Sequence, residues 1–174
     1  MIGRLTCIAR VATVVALVVL LQVALVSQLR VGKVSPDIAL LLAVATGVAN
    51  GPDRGAIVGF VVGLSYDLFL GTPFGLSALI YTLVAYAAGS VQVPLATHPQ
   101  WWRAISVAVA SAAGVLLWLA AQVMLDLGQL RGYSLVRIAV VVGAVNALLT
   151  PPALRLAAWM FQTLASNRPT AVAS

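Results

Sequence analysis

From Gly55 to Gly75 a glycine returns at every fourth position, at Gly55, Gly59, Gly63, Gly71 and Gly75, and the one place missing from the series holds Asp67. Residues four apart lie on nearly one face of a helix. Gly55, Gly59 and Gly63 therefore predict a furrow without side chains, leading into a carboxylate set among Leu64, Leu68, Phe69 and Leu70. In lipid, helices associate by close backbone approach rather than by expelling water. An ionisable side chain in that setting is costly and marks a candidate functional site.

The remaining sequence places this segment in a membrane. The chain has 174 residues, of which 62% are hydrophobic and 8% charged, with no glutamate. A soluble domain of that size could not cover its surface with so few polar groups. At ~1.5 Å per residue and a hydrocarbon core of ~30 Å there is room for about six helices. The expected fold class is all-α: a polytopic membrane protein with six transmembrane helices, of which helices 2 and 3 are short. One transmembrane domain is expected over residues 1–166, and a disordered polar tail over 167–174. The net charge of +6 reads as cytoplasmic loops facing anionic lipid rather than as a nucleic-acid surface. Cys7 is the only cysteine, so neither an internal disulfide nor a metal cluster is expected, and no cofactor is implied.

In chain order, the apolar run at 8–26 is longer than a signal-peptide core and lacks a small-residue cleavage site, so it reads as an uncleaved first span over 8–28. Ser35-Pro36-Asp37 reads as a helix start, with Ser35 as N-cap and Asp37 near the positive end of the dipole. Helix 2 then covers 37–49, about 20 Å, and helix 3 covers 55–70, about 24 Å. They read as two crossings, a buried re-entrant hairpin being the alternative. Gly47 and Gly51 would extend the ladder backwards, but they lie across a turn and read as coincidence. Helix 4 is expected over 76–93 and helix 5 over 103–125, with Trp101 and Trp102 as an interfacial anchor. Helix 6 is expected over 134–149, where Pro151-Pro152 breaks or kinks it, and 153–165 either completes the span or lies in the interface.

Six spans put Arg4, Arg10, Arg54, Arg103, Arg155 and Arg168 on one side and Arg30, Lys33, Arg131 and Arg137 on the other. That imbalance favours both termini in the cytoplasm. Asp37, Asp67 and Asp126 then fall near the outer face, and Asp53 lies inside beside Arg54. A layer of ion pairs and capped helix ends is expected there. Asp67 lies in the last turn of its helix, where the dipole disfavours an anion. It needs donors from the 71–75 turn, the start of helix 4, Ser77, Arg30 or Lys33. Three readings stay open for it: a lock on the corner between helices 3 and 4, a contact to a partner, or a proton or ion site. Asp37 reads as the cap of helix 2, His98 as a loop residue, Tyr81 and Tyr86 as packing residues, and Asn146 as an interhelical hydrogen bonder. With one histidine and one cysteine, no nucleophile and base can be paired, so an enzyme is not expected.

Gly55, Gly59-Phe60, Gly63-Leu64, Asp67-Leu68, Gly71, Pro73 and Gly75 form a pattern with Pro36-Asp37 upstream and Tyr81, Tyr86 and Gly89 downstream. It resembles the signature of the MreD family of bacterial rod shape-determining membrane proteins. The resemblance implies an inner-membrane scaffold of the cell-elongation machinery, acting in lateral peptidoglycan synthesis. It implies binding to an MreC-like bitopic partner, and a link between MreB and a RodA-type glycosyltransferase with its class B transpeptidase. Asp37, Gly55, Gly59, Gly63, Asp67, Gly71, Pro73 and Gly75 are the expected partner-binding or structural positions, the furrow docking the partner's single span, although Gly59 and Gly63 would serve an internal crossing equally well. MreD-like proteins also look somewhat like the substrate-binding subunits of energy-coupling-factor vitamin transporters. An open pocket lined by Tyr81, Tyr86 and Asp67 would favour that second reading, and a closed apolar outer face the first.

Overall fold

A computed structural model of the chain describes residues 2–28, 37–69, 74–92, 100–124 and 135–165. They form six helices and, among the described residues, no strand: α1 Ile2–Gln28, α2 Ile38–Asn50, α3 Pro52–Asp67, α4 Leu76–Gln92, α5 Gln100–Met124 and α6 Leu135–Ala165. Arg30, Lys33, Ser35, Pro36, Gly71, Pro73, His98, Asp126, Arg131 and the tail at 167–174 lie outside the described residues.

The bundle is built around α2. Its sequence is apolar on every side, and Ala39 through Val48 are all buried. A helix hydrophobic all round belongs inside other helices, and each of the other five packs against α2. At 13 residues it is about 20 Å long, well short of a ~30 Å hydrocarbon core. Among the described residues, two helices are long and apolar enough to cross a membrane, at Leu5–Ala24 in α1 and Trp101–Ala121 in α5. Both turn broad apolar faces outward, with Leu5, Ile8, Leu17 and Leu20 exposed on α1, and Ile105, Val109 and Leu117 on α5. Contiguous apolar surface of this kind calls for lipid or a partner.

Contacts at the helix ends show that successive helices alternate in direction. At one end Cys7 Sγ of α1 meets the Met160 carbonyl of α6 at 3.5 Å, and Asn50 Nδ2 of α2 donates to the Ala157 carbonyl at 2.8 Å. Arg103 Nη2 of α5 donates to the Val48 carbonyl at 3.3 Å, and Gly89 of α4 abuts Pro52 of α3. Arg10 lies 4.7 Å from the Trp159 ring and Arg54 lies 5.0 Å from that of Phe161, geometry suited to cation–π attraction. Arg10, Arg54 and Arg103 thus gather at this end with Asp53, and Asp37 and Asp67 lie at the other.

Asp37 caps α2 as expected, but from the N-cap position assigned to Ser35: its Oδ1 accepts from the Leu40 amide at 2.9 Å. Of the two courses open to 153–165, the structure shows the helical one, α6 running through Pro151 and Pro152 to Ala165. Beyond them Ala157 and Met160 are fully buried and bonded to α2 and α1, so packing holds the continuation that the missing amides weaken.

Candidate functional site: a carboxylate layer above a filled furrow

The side-chain-free face of α3 is occupied by α4. A β-carbon on Gly63 would lie 2.5 Å from Ala78 Cα, and one on Gly59 would lie 2.7 Å from the Tyr81 carbonyl oxygen. One on Gly55 would lie 2.5 Å from Gly47 Cα and 3.1 Å from the Ala85 carbonyl oxygen. As α3 advances through Gly55, Gly59 and Gly63, its neighbour retreats through Ala85, Tyr81 and Ala78, so the two backbones lie in antiparallel contact along the ladder. Of the two uses open to Gly59 and Gly63 from the sequence, an internal crossing or a dock for another protein's span, the structure shows the internal one. The chain's own α4 fills the furrow, running antiparallel to α3.

Gly47 belongs to the same packing, and its reading as coincidence is corrected. A β-carbon there would run into the Ala85 carbonyl and come within 3.4 Å of the Gly89 amide nitrogen. Gly47, Gly55 and Gly89 thus bring α2, α3 and α4 to backbone contact near the arginine end. The turn from α2 to α3 passes through Gly51 at φ 97°, a conformation that favours glycine.

Asp67, the next rung, meets the start of α4. Its Oδ2 accepts from the Gly75 amide at 2.9 Å and the Ala78 amide at 3.3 Å, and its Oδ1 accepts from the Ser77 amide at 3.2 Å. Gly75, at φ 98°, precedes α4 and has no side chain with which to cap it. Asp67 supplies the cap from the neighbouring helix. The end of α3 repels an anion, but the free amides and positive dipole end of α4 attract one. The carboxylate is 3% exposed, and Ser77 contributes its amide, since its buried Oγ has no partner.

Asp37 is held in the same manner. With Oδ1 on the Leu40 amide, its Oδ2 accepts from the Tyr81 hydroxyl at 2.6 Å. Tyr81 is buried and stacks on Tyr66, centroids 6.5 Å apart and planes 17° from parallel. Gln22 of α1 adds its Oε1, which accepts from the Ile38 amide at 2.9 Å. Among the described residues the layer joins α1, α2, α3 and α4 through amides and a phenol; Arg30, Lys33 and Arg131, the cations expected to pair with the acids, lie outside them.

Of the expected site residues, the structure brings Asp37, Asp67 and Gly75 to one end and lines Gly55, Gly59 and Gly63 along α4. Gly71 and Pro73 lie outside the described residues. Tyr86 is half exposed while Tyr81 and Asp67 are buried, so these three do not wall a common pocket. Gln22 and Tyr66 were not singled out from the sequence. Gln22 could have been, as a lone amide in an apolar span; Tyr66 carries no such signal. Asn146 does not make the expected interhelical bond, since its side-chain amide is fully buried with both polar atoms unpartnered.

The family model of the rod shape-determining protein MreD matches residues 5–160. No curated protein and no solved structure matches the chain.

Proposed function

The chain belongs to the MreD family of rod shape-determining proteins, and from that premise we propose that it is a multi-pass scaffold of the bacterial cell-elongation machinery. In this reading all six helices cross the inner membrane, and both termini face the cytoplasm with the end that carries Arg10, Arg54 and Arg103. The carboxylate layer then faces outward. An MreC-like bitopic partner packs its span against the exposed apolar faces and its juxtamembrane segment against the outer end. The assembly links MreB to a RodA-type glycosyltransferase and a class B transpeptidase.

The observation that carries the scaffold reading is the full commitment of both carboxylates to the chain's own donors. Asp67 holds three amides and Asp37 an amide and a phenol, which suits groups that fix helix ends better than groups that move a proton or hold a solute. Of the three roles open to Asp67, the corner lock is favoured, and the separation of Tyr86 from Tyr81 and Asp67 speaks against a vitamin-type pocket.

The test is co-purification from gently solubilised membranes, paired with cell shape. Depleting the protein should round rod-shaped cells, and affinity capture of the tagged chain should bring down the bitopic partner. Rods that persist on depletion, or capture without that partner from cells that express it, would sink the proposal.

A further inference from the structure

A groove opens between α4 and α5, away from the carboxylate layer. Val84, Ala88 and Val91 line it from α4, and Trp102, Val109 and Ala113 from α5, around a volume of about 410 Å³. Its deep end closes at Gly114, where a β-carbon would lie 2.8 Å from Leu40 Cδ2 and 3.4 Å from Val84 Cγ1. Its other end lies at the arginine end of the bundle. There Trp101 and Trp102 meet edge to face at 5.8 Å, and Arg103 follows them with one of its five guanidinium donors on the Val48 carbonyl.

We propose that this groove holds one acyl chain of an anionic phospholipid, whose phosphate is recognised by Arg103. Depth argues for a lipid over a protein helix. From Trp102 to Ala113 the α5 wall rises about 16 Å, half of a ~30 Å hydrocarbon core. An acyl chain from one leaflet ends near the bilayer midplane, where Gly114 brings α5 against Leu40 of α2, with Val84 of α4 beside it. A partner's span would need walls running on past that point. Charge argues for an anionic headgroup, because Arg103 follows the lining Trp102 in the chain and the same end carries Arg10 and Arg54 beside Asp53, while Asp37 and Asp67 lie at the opposite end. Indole rings beside the cation suit the headgroup level of a bilayer.

The inference rests on the membrane reading but not on the partner, and resistance of the chain to alkaline extraction from membranes tests that reading separately. The groove is tested by native mass spectrometry of the full chain in mild detergent, offered phosphatidylglycerol or phosphatidylethanolamine. The wild type should retain one phosphatidylglycerol, preferred about fivefold, the ratio that a single cation near the surface gives. Ala110→Phe, which fills the groove, should abolish retention. Ala87→Phe, at an already exposed wall position, should do the same without burdening the fold. Arg103→Gln should keep a lipid but lose the headgroup preference. Equal retention of the two lipids by the wild type, or undiminished retention by folded Ala87→Phe, would overturn the proposal. So would a protein span cross-linked through Val109 in place of lipid.

Discussion

Tyr81 donates its hydroxyl to the Asp37 carboxylate across 2.6 Å, while its own backbone carbonyl oxygen lies 2.7 Å from the place a β-carbon would take on Gly59. One residue of α4 therefore registers α2 through its side chain and α3 through its backbone. Asp67 does the complementary work by capping α4 from the end of α3. The furrow and the carboxylate layer are thus one device: the furrow sets how closely α3 and α4 approach, and the carboxylates set where each helix begins.

The phenol bond should be measurable. Tyr81→Phe removes only the oxygen and should cost about 1.5 to 3 kcal/mol, the usual range for a hydrogen bond to a charged group. A double-mutant cycle with Asp37→Ala, read by thermal unfolding in detergent, should give a coupling of about 1 kcal/mol or more. Additive losses would mean that the two groups do not stabilise one another.

Asp67→Ala should be the most damaging single change in the layer. It removes three charge-assisted bonds to buried amides and should cost about 3 kcal/mol or more. Asp67→Asn keeps one carbonyl acceptor but brings an NH2 group against backbone donors, so it should fall between alanine and wild type. If Asn and Ala lower the melting temperature equally, acceptor geometry is not what the site uses.

Gly63→Ala should destabilise through a clash of backbones, by about 1 to 3 kcal/mol as overpacking does, and Gly63→Leu should abolish folding. Gly51→Ala meets open space and should cost about 1 to 3 kcal/mol through its backbone conformation alone, φ 97° and ψ 165°, a region essentially confined to glycine. In the folded fraction, Gly63→Ala should retain the partner at the wild-type ratio. Loss of the partner from well-folded Gly63→Ala would restore the furrow as an external dock.

Asn146→Leu should hold or raise the melting temperature, because it replaces an unpartnered buried amide with an apolar side chain of similar volume. A fall of more than about 1 kcal/mol would show that the amide has a polar companion in solution, such as a buried water.

Much of this arrangement was legible in the chain itself. Its scarcity of charge, the periodic glycines and the isolated acids pointed to a helical membrane protein in which α3 meets another helix at backbone distance and Asp67 must find donors. Those features are local: they follow from which groups can rest in lipid and which faces a 3.6-residue period brings together. The tertiary structure decided what each need is matched with. It put α4 in the furrow, where the sequence allowed an internal or an external helix, and drew Gly47 into the ladder across a turn. It also carried α6 past two prolines, selected the amides at the start of α4 from the donors open to Asp67, and gave Asp37 a phenol. None of these choices could be settled along the sequence, since a vacant face or an unsatisfied carboxylate specifies the kind of neighbour required, while only the path of the folded backbone determines which neighbour arrives.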